Sequence, residues 1–359
     1  MAQSRRGCGC AFAVLIGIGI LLALVVWKFF WPWIEERWTK RLPPPSGNAL
    51  QVHVLDVGQG DAVLVIAPSG KTVLVDAGTP GSGKKILDAM RRYGVGQIDY
   101  MVTTHAHADH IGGADEVIRA TTVNKVIDSR VPNTTKNYID FLEAIDEKKI
   151  AYEGANPGQT YDLGDGAILS VLAPIPPLFT KDQLRSGGNE PNANSVVTRL
   201  DYGNFSMLLT GDAEAQTEQR LINNGANLTA DVLKVGHHGS KYATSDEFIR
   251  RGKFKAAIIS ASVDNRYGHP SQEVLDRLRA AGIQLYRTDL QGEISITTRG
   301  DDTYDIKPAR ETTEDMWAGR AAQRDDSSRS GFVAYGDFGP APKPKKSPEQ
   351  RSRGASGGR

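Results

Sequence analysis

The chain has 359 residues, 40% hydrophobic and 24% charged, the balance of a globular protein rather than a disordered one. That length suits one large domain or two ordinary ones with appendages, and a formal net charge of +1 supplies no global field that would mark an acidic or nucleic-acid partner. The only cysteines are Cys8 and Cys10, which excludes a disulfide framework for the main domain and leaves any metal there to nitrogen and oxygen ligands.

Residues 1–10 form a short basic tail through Arg5 and Arg6. The uncharged apolar run Ala11 to Trp27, with Lys28, Trp31 and Trp33 after it, approaches the ~20 residues needed to cross a bilayer and predicts a transmembrane anchor over 11–34. A cleaved signal peptide is the competing reading. The run exceeds the usual ~7–15 residue apolar region, and no small-x-small cleavage site follows. The basic tail orients the chain with its amino terminus inside and the domain outside the cytoplasm, although Lys28, Arg37, Lys40 and Arg41 pull the other way. Residues 35–47, ending in the stiff stretch Pro43-Pro44-Pro45-Ser46-Gly47, read as a linker.

Residues 48–307 alternate strands and helices. LQVHVLDV, AVLVIAP and KTVLVDAG are Val/Leu/Ile-rich runs parted by Gly and Pro, hence strands. GKKILDAMRRYGV has helical spacing at Ile86, Leu87, Met90 and Tyr93 and stops at Gly94. IDYMVTTH is a strand and NYIDFLEAIDEKK a helix. SVVTRLDYG and FSMLLTGD are strands, AEAQTEQRLINNG a helix, DVLKVGHHGS and KAAIISAS strands, SQEVLDRLRAAG a helix, and short strands close the domain. This pattern predicts an α/β domain of packed sheets with helices outside. Residues 308–359 lose periodicity and are rich in Pro, Gly, Ser and charge, which predicts a disordered tail. Its basic end, from Lys343 to Arg353, reads as solvated, with anionic lipid or nucleic acid as the alternative contact.

The stretch TTHAHADHIGG, Thr103 to Gly113, carries three of the seven histidines. A strand delivers His105 and His107 two residues apart, so both can point to one side, and a turn then presents Asp109 and His110 in another direction. Imidazole with carboxylate suits Zn, Fe or Mn rather than Ca or Mg. Asp212 after FSMLLTG, the pair His237 and His238 after DVLKVG, and His269 in RYGHPSQ are further candidates at strand ends or helix starts, where α/β sites are built. His53 alternates within a strand and reads as structural. In DVGQGD, two glycines flank Gln59 as a tight hairpin requires, without any ligand role for Gln59 or Asp61.

HAHADH followed by Gly112-Gly113, VLVDAG ending at Asp76 and Gly78, TGD with Asp212, and VGHH resemble, in chain order, the motifs of the metallo-β-lactamase superfamily. LDVGQGDA, LLTGD, LKVGHHGS and YGHP followed by YRTDLQGEI narrow the resemblance to the C-terminal hydrolase domain of ComEC-type competence proteins. It spans about Leu50 to Ile296. The resemblance implies a four-layer αββα sandwich, one or two divalent metal ions (Zn or Mn), and a phosphodiesterase or nuclease acting on DNA by attack of metal-bound hydroxide.

It further implies His105 and His107 on a first metal, Asp109, His110 and His237 on a second, and Asp212 bridging them. Asp76 would orient the histidine loop by hydrogen bonds rather than bind metal, and His238 would neighbour the ligands, with His238 in place of His237 as the ligand the alternative. Asp109 would take a proton from the water, while His269 would protonate the leaving oxygen or bind a non-bridging one. Ser240 and Lys241 are candidates for phosphate contact, and Asn194 and Ser195 for substrate contact.

Two departures stand out. No histidine lies between His110 and Asp212, where the superfamily usually has one, and NANSVV (Asn192 to Val197) occupies that place. Competence channels carry many membrane spans ahead of this domain, and this chain offers one. The expectation is therefore a membrane-anchored, single-pass hydrolase with its domain extracytoplasmic and no support for DNA transport. A phosphocholine esterase, a lactamase or a non-catalytic anchored binding domain are the alternatives.

Overall fold

The computed structural model describes Lys28, residues 49–184 and residues 190–320. The basic tail, the linker and, apart from Lys28, the expected anchor lie outside the described residues, as do residues 321–359 of the tail. Among the described residues, no helix is long and apolar enough to cross a membrane. The chain divides into two compact units. The smaller includes Leu87–Gly96, the second half of helix Gly83–Arg92, and the larger, with Gly47–Ile86 and the residues from Gln97, holds both sheets and the candidate site.

The first sheet begins as an antiparallel meander, β1 (Leu50–Val54), β2 (Val63–Ile66) and β3 (Thr72–Val75). After helix α1 (Gly83–Arg92) it continues in parallel through β4 (Gln97–Thr103), β5 (Thr122–Asp128) and β6 (Ala151–Gly154). Parallel neighbours need crossovers, and these contain the short helices α2 (Ala108–Ile111) and α3 (Ala114–Ala120), then α4 (Lys136–Lys148). The second sheet repeats the plan. β7 (Thr160–Gly164), β8 (Ala167–Ala173), β9 (Val197–Tyr202) and β10 (Phe205–Leu209) are antiparallel, with α5 (Glu190–Ala193) before β9. After α6 (Ala215–Asn223) come β11 (Val232–Lys234), α7 (Asp246–Gly252), β12 (Ala256–Ile259), α8 (Gln272–Ala280), β13 (Gln284–Arg287) and α9 (Thr288–Gln291), the strands now parallel. β14 (Ile294–Thr298) and β15 (Tyr304–Pro308) return to the first sheet, β14 against β1. The orders are β15-β14-β1-β2-β3-β4-β5-β6 and β13-β12-β11-β10-β9-β8-β7.

The two sheets face each other. Val52, Val65 and Val73 of the first share one buried cluster with Leu169, Leu200 and Met207 of the second. The far face of the second sheet packs Leu208, Leu233 and Ala257 against Leu221, Phe248 and Leu275 of α6, α7 and α8. On the first sheet, α3 packs on β5 and on α4. Strands covered on both faces read as continuous apolar runs, and β2 (VLVI) and β12 (AAII) are buried at every position.

Three differences from the sequence reading have physical causes. β6, β7 and β8 were not expected. β6 (AYEG) exposes its first two residues and β7 (TYDLG) alternates exposed and buried, so neither carries a strong apolar run. The strand expected across DVLKVGHHGS ends at Lys234, and His237 and His238 sit in a tight turn at φ 47° and 52°. The tail expected from 308 is held to the domain as far as Arg320. Arg287, fully buried, donates to the carbonyls of Met316 and Ala318 at 3.0 and 2.7 Å, and Arg320 pairs with Asp289 at 2.8 Å. Charge-assisted hydrogen bonds anchor this segment, together with Met316 and Trp317 packed against the cluster beneath α6, α7 and α8.

Candidate metal centre

β3 hands the chain to Asp76, in the left-handed region at φ 60°. Its carboxylate accepts the Thr104 backbone N–H and hydroxyl, both at 2.8 Å, and His110 Nδ1–H at 2.7 Å. One buried side chain thus fixes both ends of the histidine loop and leaves His110 Nε2 as the outward-facing nitrogen. The Asp56–Asp61 hairpin presses on the same loop: Asp61 N–H donates to the Asp109 carbonyl at 3.1 Å, and a Cβ on Gly60 would stand 2.3 Å from that oxygen. β4 ends at Thr103, so His105 and His107 lie past the strand, yet their Nε2 and Nδ1 are 2.9 Å apart.

From the second sheet, β10 leads through Thr210-Gly211 to Asp212, whose two oxygens face different partners. Oδ1 is 3.1 Å from His110 Nε2 and 3.6 Å from His238 Nε2. Oδ2 is 3.7 Å from His105 Nε2 and 3.7 Å from His237 Nε2. The left-handed turn after β11 sends the two adjacent histidines to opposite sides of this carboxylate. His238 Nε2 also lies 3.4 Å from Asp109, and its Nδ1 faces the Ser260 carbonyl at 3.1 Å and Asp61 at 3.5 Å. His237 Nδ1 faces Glu214 at 3.2 Å, with the Asn192 amide 3.4 Å from its other nitrogen.

Burial works against charge at every one of these groups. At His110, Asp212 and Asp76 outweigh burial and hold the imidazole well above its ordinary pKa. His238 is lifted to about 10 by Asp212, Asp109 and Asp61. Asp109 is held at about 2 by His238 and His110, and Asp212 lies well below the carboxylate range beside His110, His237 and His238. At His105 burial prevails, reinforced by His110 and His107, and the pKa falls well below normal. The carboxylates therefore draw cations into the cluster.

The donor set fits a divalent metal. Asp109, His110, Asp212 and His238 each bring one ligand atom within 4.8 Å of the others, as do His105, His107 and Asp212. His110 Nε2, Asp212 Oδ1 and His238 Nε2 are buried without a hydrogen-bond partner, a cost of roughly 1–3 kcal/mol each that a cation would remove. Imidazole and carboxylate donors of this kind suit one or two first-row divalent ions.

The cluster floors a cleft of about 340 Å³. His107, Asp109, Asp212, His237, His238, His269 and Ser240 line it, and Gln59 of the hairpin reaches its wall. Lys241 is exposed beside the lining residue Tyr242. Asn194 and Ser195, expected to contact substrate, are buried and are not among the residues lining the cleft. Asn194 binds the backbone of Phe179 and Glu190, and the Ser195 hydroxyl accepts Asp212 N–H at 3.2 Å. His53 sits apart in β1, against Ser295 at 2.9 Å.

Several residues at the site escaped the sequence reading. Glu214 and Asn192 contact His237, and Lys234, 1% exposed, pairs with Asp61 at 2.7 Å beneath His238. A lysine inside the apolar run VLKV was the one available signal.

The family model described as "Metallo-beta-lactamase superfamily" matches residues 55–263, and the chain belongs to that superfamily. Among its curated relatives are competence proteins of the ComEC type. ComE operon protein 3 of Bacillus subtilis is 34% identical over 284 residues, 74% of this chain and 35% of that protein. Competence protein ComA of Neisseria gonorrhoeae is 32% identical over 250 residues, 69% of this chain and 32% of that protein. The chain thus spans about a third of the length of these relatives. The metallo-beta-lactamase fold protein YhfI from Bacillus subtilis superposes with a TM-score of 0.43 at 11% identity, over 66% of this chain and 96% of that one.

Proposed function

We propose that the chain is a metal-dependent phosphodiesterase acting on DNA, anchored to the membrane by the apolar run Ala11–Trp27 with its hydrolase domain extracytoplasmic. The observation that carries the reading is the two-sided environment of Asp212, one oxygen toward His110 and His238 and the other toward His105 and His237. A carboxylate so placed suits a pair of divalent ions, Zn or Mn. His105, His107 and His237 would hold one with Asp212, and Asp109, His110 and His238 the other. This puts His238 in the place first expected for His237 and moves His237 to the other ion, where it fills the gap left by the missing histidine between His110 and Asp212. The names of the competence-protein relatives support a DNA substrate.

The chemistry that a divalent ion held by these residues would supply is a lowered pKa for water, towards ~7, and polarisation of phosphoryl oxygens. The protein's own groups do the rest. Asp109, held ionised, accepts a proton from the attacking water. Asp76 keeps His110 in one tautomer. His269, with a buried and unpartnered Nδ1 at the cleft, meets the leaving or a non-bridging oxygen. Ser240 lines the cleft and Lys241 flanks it on the side where phosphate would lie.

The test supplies purified full-length chain with Mn or Zn and offers bis-p-nitrophenyl phosphate, single- and double-stranded DNA, and nitrocefin. Diester cleavage abolished by Asp212→Ala is expected. Cleavage of nitrocefin alone would sink the reading.

A further inference from the structure

Tyr242 is 62% exposed, more than any other large apolar side chain among the described residues, and Tyr267 is 44% exposed. Both line the metal cleft. Single exposed apolar side chains are ordinary on a folded protein, and it is the backbone beneath these two that sets them apart. These two ride on clamped backbone. The Tyr242 loop is gripped from beneath by the buried Glu218 carboxylate, which accepts the N–H groups of Thr244 and Ser245. Arg277 donates to the carbonyls of Lys241 and Thr244 at 2.9 Å each. The Tyr267 loop is stapled by buried Asn265, whose amide donates to the carbonyls of Ser262 and His269 while its oxygen accepts His269 N–H at 2.9 Å. The fold holds two apolar rings in water, at fixed positions, beside the reactive centre.

Their surroundings name the ligand. Each ring has its own cation, Lys241 5.2 Å from the Tyr242 centroid and Arg266 5.8 Å from that of Tyr267. Those cations oppose a quaternary ammonium, which would want the same ring faces, and they favour an anionic backbone. Tyr267 stacks on His269 with 20° between the planes, and His269 meets His237 with ring centroids 5.4 Å apart, so a row of rings leads from the rim to the cluster. Flat aromatic faces paired with cations along one groove are how unpaired nucleotides are held, since a base inside a duplex offers no free face to stack on.

We propose that Tyr242 and Tyr267 are base-stacking platforms for single-stranded nucleic acid, with Lys241 and Arg266 on its phosphates. This rests on the phosphodiesterase reading and gives it a substrate class. The measurement is fluorescence polarisation of fluorescein-labelled oligothymidylate, and of a short duplex, with the full-length chain in EDTA. Tyr242→Ala and Tyr267→Ala should each weaken single-strand binding roughly 5- to 150-fold. Tyr242→Phe and Tyr267→Phe should bind close to wild type, because stacking needs the ring and not the hydroxyl. Circular dichroism on all four variants separates loss of binding from loss of fold.

Alanine variants that bind the oligonucleotide as wild type does, or a wild type that prefers the duplex, would overturn the proposal. So would p-nitrophenylphosphorylcholine displacing the oligonucleotide from wild type with submillimolar potency. Failure of the underlying reading shows separately, as no hydrolysis of bis-p-nitrophenyl phosphate by the Mn-loaded wild type.

Discussion

Replacing Lys234 with methionine tests how the site is supported from below. Lys234 is 1% exposed, its ammonium 2.7 Å from Asp61 and 3.0 Å from the Val235 carbonyl. The other oxygen of Asp61 already lacks a hydrogen-bond partner and looks toward His238 at 3.5 Å. Methionine fills the same volume and removes the charge, which strands an ionised carboxylate in the interior. Breaking a buried pair from one side costs about 3–5 kcal/mol, whereas replacing both partners is nearly neutral. Lys234→Met should therefore lose about 3–5 kcal/mol in urea unfolding at pH 7, and Asp61→Asn combined with Lys234→Met should recover most of it. Burial raises the Asp61 pKa, but Lys234 together with His238 and His110 outweighs it and holds the group below the carboxylate range. The stabilisation is therefore present above the unfolded value of about 3.9 and is lost as pH falls through the depressed folded one. A loss under about 1 kcal/mol at pH 7, or a double variant no better than the single one, would refute the reasoning.

Four other substitutions probe the centre. Asp76→Asn leaves the loop's Thr104 contacts largely intact but removes the charge behind His110, and metal affinity should fall about 10- to 100-fold by competition with a fluorescent chelator. Gly60→Ala places a Cβ 2.3 Å from the Asp109 carbonyl at φ 152°, and it should lower both the melting temperature and the bound metal. His238→Ala and His237→Ala should each cost one metal equivalent by elemental analysis. A His237→Ala protein with full metal content would return His237 to the cleft wall.

Much of the centre was legible because its donors cluster in sequence. His105, His107, Asp109 and His110 occupy one loop, and Asp212 follows a strand. What escaped depends on backbone geometry that alternation does not encode. A period-two reading carries no information past Lys234, where the strand stops, so the sides taken by His237 and His238 were decided by a left-handed turn. No histidine lies between His110 and Asp212, and the nitrogen that faces the His105 side of Asp212 comes from His237, further along the chain. Asn194 and Ser195 looked like site residues by position, but their polar groups hold backbone. Tyr242 and Tyr267 are ordinary aromatics in sequence, and only their exposure on clamped loops sets them apart. In the fold, β2 and β12 announced themselves by continuous apolar character, while β6 and β7 are short and half-exposed.

The most direct test of the central claim is the divalent metal content of the full-length chain, measured by elemental analysis after equilibration with Mn and dialysis, beside Asp212→Ala. The two-sided geometry of Asp212 predicts more than one equivalent in wild type and loss of most of it in the variant. A wild type that retains no metal, or an Asp212→Ala chain that retains as much as wild type, would contradict it.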